Sequence, residues 1–318
     1  MNSPEPAFKA DDYVYRILFD LGMEKPFYFP ETMTDDDIRR GKEIVLNGHT
    51  DEPSGGKSKY VSVYYVCTNC HNTVIEDPDL TKSDPETRLA FAVNKNISFL
   101  QGTTFYGTAN RESWYNDDYY KKYGDLVKPA NKDIREAIQL CALECSKGRV
   151  LEDWEEHAIL SYLYSISYKL SDLFSEKEIE ELNRKNSSNN NSKELIALIK
   201  SKYALKSPAT FVEPPYENGA KLPQGNPENG KSIYNLSCQT CHKPYGCSDV
   251  VFDNSKKTFN KFEKDFSRDD WWLFKAVRHG FSGYAGHEPY MPHFTAERMT
   301  DKQVMDLRAY LMIGETGR

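Results

Sequence analysis

Two short runs in this 318-residue chain have residue types and spacing that could do chemistry: Cys67-Thr68-Asn69-Cys70-His71 and Cys238-Gln239-Thr240-Cys241-His242. Each is a C-x-x-C pair followed at once by histidine, the attachment signature of c-type haem. Two thiols on one turn of helix can add to the two vinyl groups of a single porphyrin, and the adjoining imidazole then sits under the iron. That imidazole must be neutral to ligate, with its other ring nitrogen donating a hydrogen bond that fixes the ring. Cys67, Cys70, Cys238 and Cys241 are therefore read as haem thioethers, and His71 and His242 as iron ligands, giving two covalently bound haem c groups. Two other chemistries use such pairs. A Cys₄ zinc site usually spaces its pairs about 15–20 residues apart, whereas 167 residues lie between Cys70 and Cys238. A thioredoxin-like redox pair needs a βαβ context, which the surrounding pattern lacks.

What fills the opposite side of each iron sets its use. After the second motif, Tyr290-Met291-Pro292-His293-Phe294 begins 48 residues past His242 and precedes the last helical pattern. The run resembles the Met-Pro-x-Phe segment of class I cytochrome c. That resemblance makes the Met291 sulfur the sixth ligand, with His279, His287 and His293 as competitors. The first motif cannot copy this, because no methionine lies between Met33 and Met291. Cys141, Cys145, His157, His49 or a lysine remain. The segment Ile138-Gln139-Leu140-Cys141-Ala142-Leu143-Glu144-Cys145-Ser146-Lys147-Gly148 resembles the I-x-x-C-x-x-x-S-x-x-G region of thiosulfate dehydrogenases and related sulfur-oxidising cytochromes. The resemblance implies Cys141 as the distal ligand of haem 1, and a thiolate there lowers the potential of haem 1 below that of a His/Met haem 2. Two departures stand out: Cys145 occupies the family's serine position, and Ala137 stands where the family has arginine, with Arg135 nearby. Removing four thioether cysteines from seven leaves Cys141, Cys145 and Cys247, an odd number that an iron-bound thiolate would explain.

The elements that must hold these groups repeat. Thr34-Asp35-Asp36-Asp37 caps a helix with Ile38, Gly41 and Val45 on one face, and Asn226-Pro227-Glu228 opens another carrying Gly230 and Tyr234. Each half closes on an amphipathic helix: Leu151–Ile166, with Trp154, Ala158 and Tyr162 in register, and the helix after the capping box Thr300-x-x-Gln303, with Val304, Leu307, Tyr310 and Leu311. In class I cytochromes the first and last helices cross near a glycine and an aromatic residue, which pairs Gly41 with Tyr162 and Gly230 with Tyr310. The fold expected is all-α, two class I cytochrome c domains in tandem joined by a partly helical linker. Residues 1–33 are an N-terminal extension too apolar for a free tail, 34–170 the first domain, 171–224 the linker and 225–318 the second domain. The linker reads as a capped helix from Ser175, a polar tract at 186–191 expected to be mobile, a helix over Lys193–Tyr203, and an extended lead with Pro208, Pro214 and Pro215.

Composition narrows the partners. Hydrophobic residues make up 39% and charged residues 28%, and no run approaches the length of a membrane-spanning helix. A net charge of −7 argues against a nucleic-acid partner, and 21 Tyr with 16 Phe are suited to walling in a large flat group. Haem attachment takes place outside the cytoplasm, so the chain is expected in the periplasm or an equivalent compartment. Its start, Met1-Asn2-Ser3-Pro4, has no secretory pattern and reads as a form from which a signal or lipoprotein anchor has been removed. The reading that follows is a dihaem carrier passing electrons from haem 1 through haem 2 to a redox partner protein docked by charge. The rival is a thiosulfate dehydrogenase-like enzyme acting on a small sulfur oxyanion at Cys141, with Arg111 and Arg135 as the cations that would hold it. A dihaem peroxidase, which needs an open iron, fits less well with Met291 and the two repeats.

Overall fold

The computed structural model describes residues 7–187, 191–213, 223–266, 269, 271–280 and 290–312. About half of the chain is helical, and the described residues contain isolated bridges such as Asp51–Lys57 but no strand, so the fold is all-α. Its helices of seven or more residues are α1 (Val14–Asp20), α2 (Asp35–Asn47), α3 (Pro85–Lys95), α4 (Ile134–Leu140), α5 (Asp153–Ser165), α6 (Glu176–Asn186), α7 (Ser192–Lys200), α8 (Pro227–Ile233), α9 (Lys256–Phe266), α10 (Trp272–His279) and α11 (Asp301–Leu311). None of the described helices is long and apolar enough to cross a membrane.

The capping signals act where the sequence put them. Thr34 Oγ1 accepts from the Asp37 amide at 3.1 Å, and Thr300 Oγ1 from the Gln303 amide at 3.1 Å, each satisfying a donor that the helix leaves unpaired. The first and last helices of each half cross in close backbone contact. A Cβ built on Gly230 would stand 1.9 Å from the Asp306 carbonyl oxygen and 2.8 Å from Tyr310 Cβ, so the Gly230–Tyr310 contact is present. In the first crossing, a Cβ on Gly41 would meet the Ala158 oxygen at 1.9 Å and the Ile159 nitrogen at 2.9 Å. Gly41 thus bears on α5 one turn before Tyr162. Backbone atoms cannot rotate away as a side chain can. Gly230→Ala should therefore push α8 off α11 and cost about 1–3 kcal/mol or more, read as a lowered urea midpoint.

Three buried clusters form. The first joins Ile44 and Val45 of α2 to Ile159, Leu160 and Leu163 of α5. The second gathers Ile233, Phe274, Val304 and Leu307, together with Leu89 and Ala92 of α3 and Phe99. A segment from the first half of the chain thus completes the core around α8, α10 and α11; Phe99 N donates to Leu236 O at 2.8 Å and Gln303 Nε2 to Pro85 O at 2.7 Å. The third cluster unites the N-terminal residues Val14, Ile17 and Leu18 with Leu170, Ile179 and Leu182 and with Leu195 and Ile199 of α7. The helices of the linker and the N-terminal extension thereby cover one another.

One expectation changes. Helix α5 is buried on every side from Ala158 to Tyr164 rather than amphipathic. The extension supplies its second partner, with Tyr164 edge-on to Tyr15 at 5.0 Å and to Phe29 at 4.9 Å. Residues 188–190 of the polar tract, Pro214 and Pro215 lie outside the described residues.

Candidate functional site

Helix α2 ends on Gly48, whose φ of 77° turns the chain away from the axis. The chain returns at a single 3₁₀ turn, Cys67–Asn69, where the Val66 amide donates to Asn69 Oδ1 at 2.8 Å and the His71 amide to Cys67 O at 3.1 Å. His71 Nδ1 lies 2.6 Å from the carbonyl oxygen of Thr103. A carbonyl can only accept, so Nδ1 carries the proton and Nε2 keeps its lone pair. Phe105 stacks on the ring at 4.4 Å and 13°, and its amide is anchored to Asn72 O at 2.8 Å.

The second motif reaches the same arrangement by another path. Helix α8 runs on through a π turn, Tyr234–Cys238, into the helical Gln239–His242. His242 Nδ1 lies 2.7 Å from Val250 O, and Phe252 stacks on the ring at 4.4 Å and 23°. The acceptor is 8 residues beyond the histidine here and 32 beyond it in the first motif. Burial pushes both imidazoles below their ordinary pKa, outweighing the carbonyl hydrogen bonds that raise it. Both rings are thus held neutral, oriented and with one nitrogen available, as a metal-binding imidazole must be. Among the described residues no group of three or more His, Cys, Asp or Glu side chains converges on a bare metal ion. The thiols flanking each histidine fit a porphyrin instead.

A cavity opens against His71, Cys67 and Cys70, and Cys141 and Cys145 line it too. These two cysteines bound a π turn that prolongs α4, closed by the Ser146 amide on Cys141 O at 2.8 Å. Neither His157 nor His49 lines the cavity: His157 lies 3.6 Å from Asp37, and His49 packs on Tyr60 at 4.4 Å. Of the two arginines named from the sequence, Arg111 lines the cavity, bonded to Thr103 Oγ1 at 2.8 Å and Ser207 Oγ at 2.5 Å. Arg135 is not brought to it, because Asp133 at 3.2 Å and Glu156 at 3.8 Å hold its guanidinium elsewhere.

Met291 lies in an extended run laid along the end of α10. The Phe294 amide donates to Val277 O at 2.8 Å, and Gly280, at φ 66°, passes so near Met291 O that a Cβ would stand 2.0 Å from it. Tyr290, Pro292 and His293 of that run line the His71 cavity, while Met291 does not. His293 bonds to Lys122 Nζ at 3.1 Å, and His279 pairs with Glu213 at 3.3 Å. His287 lies outside the described residues. Cys247 is partly buried.

Sequence reasoning missed how much the C-terminal half contributes to the first cavity. Arg298, which lines it, is buried and pairs with the equally buried Glu76 at 2.8 Å. The same guanidinium donates to Leu100 O at 2.9 Å and Gly102 O at 2.6 Å. Glu76 accepts from the Thr104 amide at 2.8 Å and from Asn72 Nδ2 at 2.9 Å. Together they fasten the loop whose Thr103 carbonyl orients His71. Beyond the cysteines, His71 and Arg111, the sequence sign of this cavity was the excess of tyrosine, of which Tyr65, Tyr115, Tyr119, Tyr123 and Tyr290 line it.

Residues 225–311 match the family model described as cytochrome C oxidase, cbb3-type, subunit III. This stretch is a cytochrome c domain, and such a domain carries covalently bound haem c and serves haem-based electron transfer. No curated protein and no solved structure matches the chain.

Proposed function

We propose that the chain is a dihaem c-type cytochrome that works as an electron carrier outside the cytoplasm. Cys67 and Cys70 hold one haem under His71, and Cys238 and Cys241 hold the other under His242. Cys141 completes the first iron and Met291 the second, within the domains 34–170 and 225–318. The observation that supports this reading best is the doubled arrangement of C-x-x-C-H, backbone carbonyl and stacked phenylalanine. The haems supply one-electron chemistry; the chain's own part is to hold each imidazole, exclude water and set the two irons apart by ligand. With Cys141 on one iron and Met291 on the other, the haem held by Cys67 and Cys70 would sit at the lower potential and would supply electrons to the second and on to a partner protein.

A second reading is favoured by the charge in the His71 cavity. Lys122, Arg111 and Arg298 line it beside Cys141, a setting in which a small sulfur oxyanion could bind. The chain would then be a thiosulfate dehydrogenase-like oxidoreductase with Cys141 and Arg111 at the reaction site.

A pyridine haemochrome assay with intact mass should give two haems per chain; one haem, or zinc in its place, overturns the dihaem reading. In the oxidised protein, Cys141→Ala should abolish the low-spin thiolate signal in electron paramagnetic resonance and leave the His/Met signal intact. An unchanged signal moves the ligand to Cys145. Ferricyanide-linked turnover of thiosulfate, lost in Arg111→Ala, would favour the enzyme over the carrier.

A further inference from the structure

We propose that Cys141 and Cys145 are a redox-active dithiol that closes reversibly to an intramolecular disulfide. The two thiols stand at the two ends of one π turn and line the same cavity. The π turn makes this possible. Four residues of an α-helix rise about 6 Å, and the wider ring closed by Ser146 N on Cys141 O stacks the fifth residue of the turn more nearly above the first. Disulfides span Cα separations of about 4.4–6.8 Å, so the pair is within reach without dismantling the helix.

The surroundings suit exchange chemistry. Tyr115 and Tyr123 hydroxyls stand 3.5 Å and 3.4 Å from Cys145 Sγ, from where each can donate to a thiolate. Closing the pair breaks two S–H bonds and forms one S–S bond, releasing two protons and two electrons. A small-molecule disulfide is the oxidant class that fits: it accepts both protons and both electrons as it splits into two thiols. The bond does not depend on the proposed function. Its consequence rests on that reading, because a Cys141 sulfur bonded to Cys145 is withdrawn from the first iron.

The test uses the purified holoprotein treated with a phosphine reductant or with diamide, then alkylated and digested with trypsin. The peptide Glu136–Lys147 carries both cysteines and no haem-attachment site. After reductant it should bear two alkyl groups. After diamide it should bear none and weigh two hydrogens less than the dithiol peptide, and the phosphine should restore both alkylation sites. Two alkyl groups retained after diamide, or a crosslink from Cys145 to Cys247, overturns the proposal. The ferric spectrum separates the two ideas. Diamide should shift it in the natural protein and leave Cys145→Ser unchanged; a disulfide formed with no shift upholds the dithiol and overturns Cys141 as ligand.

Discussion

Arg298→Met destabilises the folded chain by about 3–5 kcal/mol, the cost of breaking a buried ion pair from one side. The geometry makes this substitution worse than loss of a surface bridge. Arg298 and Glu76 are 3% and 2% exposed, so removing the guanidinium leaves a buried carboxylate without its charge partner. The same change strips hydrogen bonds from Leu100 O and Gly102 O, and with them the ties between α11's approach and the His71 loop. Equilibrium urea unfolding measures the loss. A change under about 1 kcal/mol would mean that the pair is solvated and behaves as a surface bridge does.

Acid should expose the same pair. Burial alone would push the Glu76 carboxyl up, but the Arg298 and Arg88 guanidiniums and hydrogen bonds from Arg298 and Asn72 hold it down at about 2, against an ordinary 4.5. A depressed carboxyl contributes stability that is present above its unfolded pKa and is lost as pH falls from about 4.5 towards 2. Asp77 runs the other way. Burial and the neighbouring Glu76 charge push it up to about 6, so its share of stability grows as pH falls from 6 to 3.8. In Arg298→Met the burial of Glu76 is left less opposed, and the acid-labile part of the stability curve should shrink.

How much of this was legible in the sequence depends on what carried the information. Helix caps and crossing glycines are local residue choices, so Thr34, Thr300 and the Gly230–Tyr310 pair could be read directly. The two histidines could be found, but not the groups that orient them. A backbone carbonyl has no residue signature, and the acceptors sit on loops of unlike length, Thr103 and Val250. The Glu76–Arg298 pair joins residues 222 apart, and nothing in either neighbourhood marks the other. Helix α5 misled for a related reason: periodicity reports one buried face, while the aromatic extension supplies a second that only folding brings into place.

Because both acceptors are main-chain atoms, no side-chain deletion can free the histidines, and the orientation of His71 must be tested by moving its loop. Gly102 is the place to do it. A Cβ there would stand 2.5 Å from His71 Cε1 and 2.7 Å from both His71 Nδ1 and the Cys70 oxygen. The ring cannot yield towards Phe105, which stacks on it at 4.4 Å, and Arg298 holds the loop through the Gly102 carbonyl. Gly102→Ala should therefore break the Nδ1–H bond to Thr103 O and tilt the imidazole. Losing such an orienting partner weakens a metal–histidine bond by about 10–100-fold. On the dihaem reading proposed above, the variant should keep two haems by haemochrome, since Cys67 and Cys70 are untouched, while an added ligand such as imidazole or cyanide competes at the first iron at correspondingly lower concentration. The second iron should respond as in the natural protein, because Val250 and Phe252 hold His242 without help from this loop. Equal sensitivity at both irons, or none at either, would mean that the carbonyl contact does not govern how His71 is presented.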